Sequence, residues 1–184
     1  MARDILKTLK SEHDDLRKLF KDMEGTTDRA KKTRSELLGD IEAGLIPHAK
    51  WEELVFYPAF KQRADREGLK THAEAVQEHR AVELTVLPDL KGKPTDSVEF
   101  AGSAKVLSEF VDHHAGEEEK TMFKMARKLF SAEELAEALC QADALLYAAK
   151  GAGRDCVQAA MTAANPVDDE RAAIESVANA ALSA

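Results

Sequence analysis

The sequence predicts an all-α fold: an up-down-up-down four-helix bundle with an additional C-terminal helix and an Ala-rich tail. Three observations carry that prediction. Apolar residues recur at helical spacing through most of the chain, without the two-residue alternation of half-buried strands. Capping residues followed three positions later by an acid mark several helix starts. Breaker stretches at residues 25–27, 64–68 and 91–94 cut the chain into rods of similar length.

The first helix runs from about Asp4 to Glu24, with Ile5, Leu9, His13, Leu16, Phe20 and Met23 on one face, and stops at Gly25-Thr26-Thr27. Thr33 with Glu36 forms a capping box that opens the second. That helix keeps Leu37, Ile41, Leu45, His48, Glu52, Val55 and Ala59 in phase, and Pro47 and Pro58 within it predict a bend. Thr71 with Glu74 opens a third helix to about Leu90, whose inward face reads Ala75, His79, Val82 or Glu83, Val86 and Leu90. Asp96 with Glu99 starts the fourth, which presents Phe100, Leu107, Val111, His114, Glu118, Met122, Met125 and Leu129. Ser131 with Glu134 starts a shorter fifth helix to about Ala149. The expected division is a bundle plus fifth helix over residues 1–150 and a weakly structured or loosely helical tail over 151–184.

Composition narrows the partners. With 26 Lys plus Arg against 34 Asp plus Glu, the chain carries a formal charge of −8 and shows no dense basic stripe, which argues against nucleic acid. No apolar run approaches the roughly 20 residues of a membrane-spanning helix, so no membrane partner is expected. The opening residues Met1 to Lys7 interleave charge with apolar side chains instead of forming a signal core, and the cytoplasm is the expected location. Cys140 and Cys156 lie far from any metal-ligand spacing and read as reduced thiols. Metals, small molecules and a protein partner or second copy remain.

Four of the six histidines, His13, His48, His79 and His114, fall on the apolar faces of successive helices. Two carry a glutamate one turn later, His48 with Glu52 and His114 with Glu118, which aims both side chains the same way. The midpoints of His13 and His48, of Glu52 and His79, and of His79 and Glu118 fall near residues 30, 65 and 98, close to the three turns, so these groups converge in one layer. Unpaired, they would cost roughly 1–3 kcal/mol each, against about 5–15 kcal/mol for a whole domain. Imidazole and carboxylate without thiolate suit iron, manganese or zinc, and paired carboxylates favour two ions. For two ions with about six positions each, the four imidazoles, two bridging glutamates and a bridging solvent oxygen leave two positions free for Glu83, water or a substrate. Phe56 and Met122, one turn past the glutamates, are expected to wall an apolar pocket. Phase places Tyr57 away from the metals, Glu53 and Glu119 on solvated faces, and His72 and His113 outside the ligand layer.

The ordered set His13, His48-x-x-x-Glu52-Glu53 with Phe56-Tyr57-Pro58, Glu78-His79, and His114-x-x-x-Glu118-Glu119 with Phe123 resembles the hemerythrin-like proteins, in particular the HHE cation-binding branch. The resemblance covers roughly residues 1–140. It implies a non-haem di-iron centre, carboxylate-bridged with a solvent-derived bridge, that meets O2, hydrogen peroxide or nitric oxide. The oxygen carriers of that family hold two histidines four apart on the third helix, where this chain has Ala75 before His79 and Glu83 after it. They also use an aspartate five residues past the last-helix histidine, against Glu118 at four. One imidazole fewer disfavours plain O2 carriage. It favours peroxide or nitric oxide detoxification with catalase-like or peroxidase-like turnover, with an O2, redox or iron sensor as the alternative. A zinc-stabilised structural bundle is a third expectation. Residues 142–157 resemble the closing segment of a diguanylate cyclase (GGDEF) domain, but the catalytic signature is missing and no cyclase activity follows.

Overall fold

The computed structural model describes residues 4–151, and every regular element among them is helical. Helix α1 spans Ile5–Glu24, α2 Lys31–Trp51, α3 Tyr57–Arg63, α4 Arg66–Ala81, α5 Leu87–Lys91, α6 Val98–Glu117, α7 Phe123–Leu129 and α8 Ala132–Gly151. Three junctions are single wide turns of π-helix, Glu52–Phe56 between α2 and α3, Val82–Val86 between α4 and α5, and Glu118–Met122 between α6 and α7. The chain therefore makes four long rods, α1, α2–α3, α4–α5 and α6–α7, packed up-down-up-down as expected.

Local chemistry sets the ends of the rods. Asp4 caps α1 by accepting from the Lys7 N–H at 3.0 Å. Ser131 and Glu134 form the reciprocal capping box anticipated for α8, with Ser131 N–H to Glu134 Oε2 at 2.8 Å and Glu134 N–H to Ser131 Oγ at 3.2 Å. Three other starts differ from the sequence expectation. Helix α2 begins at Lys31 without a side-chain cap, so Thr33 and Glu36 lie within it. Asp65 caps α4 six residues before Thr71, accepting from Gly68 N–H, and the Thr71 hydroxyl donates to the Glu67 carbonyl instead. Ser97, not Asp96, caps α6, because Asp96 is engaged by Lys31.

The π turns change which residues face inward. In each, the N–H of the following residue reaches the carbonyl five positions back, Tyr57 to Glu52, Leu87 to Val82 and Phe123 to Glu118. Beyond each turn the buried stripe slips by about one position. Val55 and Phe56 are buried as expected, but Tyr57 and Phe60 are buried where Ala59 was expected, Leu87 where Val86 was, and Phe123 and Ala126 where Met125 and Leu129 were. Pro58 and Pro88 each lie at the start of the short helix after a π turn. A proline there offers no N–H to the carbonyl one turn back and its ring crowds that carbonyl, which a widened turn relieves.

An apolar cluster of Leu16, Phe20, Ile41, Leu45, Leu90, Phe100 and Leu107 fills one half of the bundle. Phe56, Phe60 and Phe123 pack together in the other half, with centroids 5.8–5.9 Å apart. The compact unit closes at Ala142, and Leu135, Leu139 and Ala142 of α8 are buried in it. The last turns of α8 belong to a second unit that begins at Asp143. The Ala-rich tail and most of the cyclase-like segment lie outside the described residues.

Candidate metal centre

Between the two apolar halves, all four rods contribute to one buried polar nest. Its members are the expected His13, His48, Glu52, His79, His114 and Glu118, each less than a tenth exposed. Glu52 stands at its centre. Its Oε1 lies 3.2 Å from His48 Nε2 and 3.8 Å from His13 Nε2, whereas its Oε2 lies 3.2 Å from His79 Nε2 and 4.0 Å from His114 Nε2. Glu118 Oε2 is 3.4 Å from His13 Nε2 and 3.8 Å from His114 Nε2. The donor atoms form two groups with metal-site spacing, His13, His48, Glu52 and Glu118, then Glu52, His79 and His114. Glu52 is shared by both, with one oxygen toward His48 and the other toward His79.

The nest fits cations better than it fits itself. His13 Nε2, His48 Nε2, both Glu52 oxygens and Glu118 Oε2 are buried without a hydrogen-bond partner despite their proximity. They point at common centres instead of at one another. Fully buried polar atoms left so would cost about 1–3 kcal/mol each, a penalty that coordination removes.

The titration of the nest says the same. Burial opposes charge on His48 and His114, but Glu52 with Glu12 outweighs it at one, and Glu52 with Glu78 at the other, holding both imidazoles at about 10. Burial likewise disfavours the charged form of Glu52, yet His48, His114 and His13 pull it well below the ordinary carboxylate range. Glu118 moves upward, through burial and the neighbouring Glu52 charge. A field that retains extra protons on imidazole is one that attracts metal cations in their place.

Each imidazole of the nest is also held from behind by a glutamate on its Nδ1. His48 pairs with Glu12 at 2.8 Å, His79 with Glu53 at 3.0 Å, His114 with Glu78 at 2.8 Å and His13 with Glu119 at 3.2 Å. The four bonds run in a closed circuit around the bundle, each rod's glutamate holding the histidine of the next. A carboxylate on Nδ1 fixes the tautomer that leaves Nε2 free for metal and raises its basicity. Lys50 in turn grips Glu53 at 2.7 Å, and Arg17 grips Glu119 at 2.8 Å.

These four acids are a correction to the sequence reading, which put Glu53 and Glu119 on solvated faces, quoted Glu78 only as the neighbour of His79 and left Glu12 unremarked. A signal was present. Every member of the site recurs 66 positions on: Glu12-His13 as Glu78-His79, His48 as His114, and Glu52-Glu53 as Glu118-Glu119.

Tyr57 is the second residue that phase misplaced. The π turn carries it into the nest, where its hydroxyl donates to Glu118 Oε1 at 2.8 Å and lies 3.4 Å from His79 Nε2. Its counterpart 66 positions on is Phe123, whose ring stacks on His13 at 5.9 Å. The internal repeat is thus broken by one hydroxyl. Burial, then the charges of Glu118 and Glu52, push the Tyr57 phenol well above its ordinary value.

Glu83, the expected additional ligand, belongs to neither donor group. It accepts from Lys50 Nζ at 3.2 Å at the edge of the site. Phe56 is buried in the aromatic half and Met122 is fully buried, and neither lines the cavity beside the imidazoles. His72 is half-buried with its ring 5.5 Å from Tyr57, and His113 is exposed 3.6 Å from Glu78.

A bundle whose four rods each lend an imidazole to one carboxylate-spanned nest belongs to the class of helical cation-binding proteins. The sequence profile of the Hemerythrin HHE cation binding domain matches residues 4–126, and the chain belongs to that family. The crystal structure of a Hemerythrin HHE cation binding domain-containing protein from Mycobacterium kansasii shares the fold. Its TM-score is 0.68 at 22% identity, over 82% of this chain and 89% of that one. No curated protein matches the sequence. Among the described residues, no helix is long and apolar enough to cross a membrane.

Proposed function

We propose that the chain holds two iron ions, one between His13 and His48 and the other between His79 and His114, spanned by Glu52 and Glu118, and that this centre consumes hydrogen peroxide or nitric oxide. The observation that carries the reading is Glu52, each of whose oxygens faces its own pair of imidazoles. A nitrogen and oxygen donor set without thiolate suits iron, which when bound supplies one-electron redox chemistry and Lewis acidity to a small oxygen or nitrogen ligand.

The chain's own residues do the rest. The Nδ1 glutamates keep the four Nε2 atoms aimed inward, so little reorganisation accompanies binding. Phe56, Met122 and Phe123 exclude water from the carboxylate face. Tyr57 holds a proton on its hydroxyl oxygen, hydrogen-bonded to Glu118. The side-chain donor set falls short of two six-coordinate shells, which leaves room for an exchangeable ligand.

The test is turnover by iron-loaded protein. Oxygen evolution from peroxide, or catalytic loss of nitric oxide, is expected in proportion to iron content. Stoichiometric iron with no consumption of either would overturn the detoxifying role.

A further inference from the structure

The two faces of the nest are not alike. On the carboxylate side Phe56, Tyr57 and Met122 are at most 2% exposed and line no part of the cavity beside the imidazoles. On the imidazole side all four ligand histidines border a cavity of about 30 Å³. Its remaining wall is chiefly apolar, with Leu16, Leu45 and Val111 on the inner side and Val82 and Phe110 on the outer. Phe110 is 38% exposed, and the Lys50–Glu83 ion pair lines the outer edge as well, tying α2 to the Val82–Val86 turn.

Resting on the reading of a metal pair above, we propose that the reactant reaches the metals from the imidazole face alone, through the passage bounded by α2, the Val82–Val86 turn and α6. We further propose that this passage admits only neutral molecules of two to four atoms. Size follows from the volume, which has room for only a few small-molecule atoms when one water needs roughly 10–15 Å³ of such space. Charge selection follows from the lining. An anion would exchange its hydration for apolar walls and would meet Glu78 and Glu83, whereas Lys50 is already neutralised by Glu53 and Glu83. Dioxygen, nitric oxide and hydrogen peroxide satisfy both conditions; superoxide and peroxynitrite fail the second. Val82 and Phe110 then set the aperture, and Lys50 with Glu83 closes its rim.

Methyl-resolved NMR of the metal-free chain under oxygen pressure tests the route independently of iron. Paramagnetic relaxation is expected to be strongest at the methyls of Leu16, Leu45, Val82 and Val111 and absent at the fully buried Met122. Equal or greater relaxation at Met122, or none at the four pocket residues, would overturn the proposal. A kinetic arm uses the iron-loaded protein. Val82→Phe is expected to slow nitric oxide association several-fold and Phe110→Ala to speed it, both with wild-type iron content, and unchanged rates in both variants would overturn the aperture. If instead no variant nor the wild type holds iron, the metal reading fails while the NMR result still judges the pocket.

Discussion

Removing Glu78 isolates what one orienting carboxylate contributes to the metal centre. In Glu78→Ala the Nδ1 of His114 loses its 2.8 Å partner, while His114 Nε2, Glu52 and Glu118 stay in place. Outer carboxylates of this kind typically account for about 10- to 100-fold in metal affinity, or about 1.4 to 2.8 kcal/mol. The Glu78 side chain is 18% exposed, so water partly takes over as acceptor and the loss falls toward the tenfold end. Glu12→Ala acts on His48 in the same way, but Glu12 is 33% exposed and its loss is the smaller of the two. The assay is competition for ferrous iron against a chelator of known affinity, without oxygen, with exposed Glu74→Ala on the same helix as control. A Glu78→Ala affinity no weaker than that of the control would refute the idea that the circuit of glutamates organises the site.

Other consequences are as direct. Tyr57→Phe deprives Glu118 Oε1 of its donor and is expected to lower the stability of the metal-free chain by about 1–3 kcal/mol in urea, with the fold kept because the equivalent position already holds Phe123. An unchanged midpoint would deny that bond its role. Gly68→Ala places a methyl 2.9 Å from Ala64 Cβ and 3.2 Å from Phe60 Cζ, an overpacking expected to cost about 1–3 kcal/mol by thermal unfolding. The pH dependence has a definite sign. His48 and His114 titrate at about 10 in the folded, metal-free chain against 6.5 when unperturbed, so their contribution is full below 6.5 and is lost as pH rises toward 10. The urea midpoint of metal-free protein should fall over that interval, and that of metal-loaded protein, whose imidazoles are already deprotonated, should not. A metal-free midpoint that is flat or rises would contradict the assignment.

The six members of the buried nest were legible because their signal needs only the right half-turn of each helix. His13, His48, His79 and His114 lie on the apolar stripe at matched distances from the turns, upstream of the places where the α-helical phase fails. Beyond Glu52 and Glu118 the wide turns insert about one residue, so Tyr57 was assigned the wrong face, while Phe56 and Met122 are buried as expected but do not border the cavity beside the imidazoles. Glu53 and Glu119 escaped for another reason. A residue next to a ligand points away from its own helix's metal face, and only the neighbouring rod reveals that it reaches the back of that rod's imidazole. Glu83 has the spacing of a ligand from His79, but Lys50 on α2, whose reach no helical period encodes, draws it to the rim. The prolines at 58 and 88 and the 66-residue repeat were the available clues to the turns and the circuit.

The most direct measurement is anaerobic titration of metal-free protein with ferrous iron, followed by elemental analysis after gel filtration, on wild type and Glu52→Ala. Two retained irons per wild-type chain, and loss of both in a variant that still folds, are the predicted result. A single iron, or a pair that survives without Glu52, would contradict a dinuclear centre built across that carboxylate.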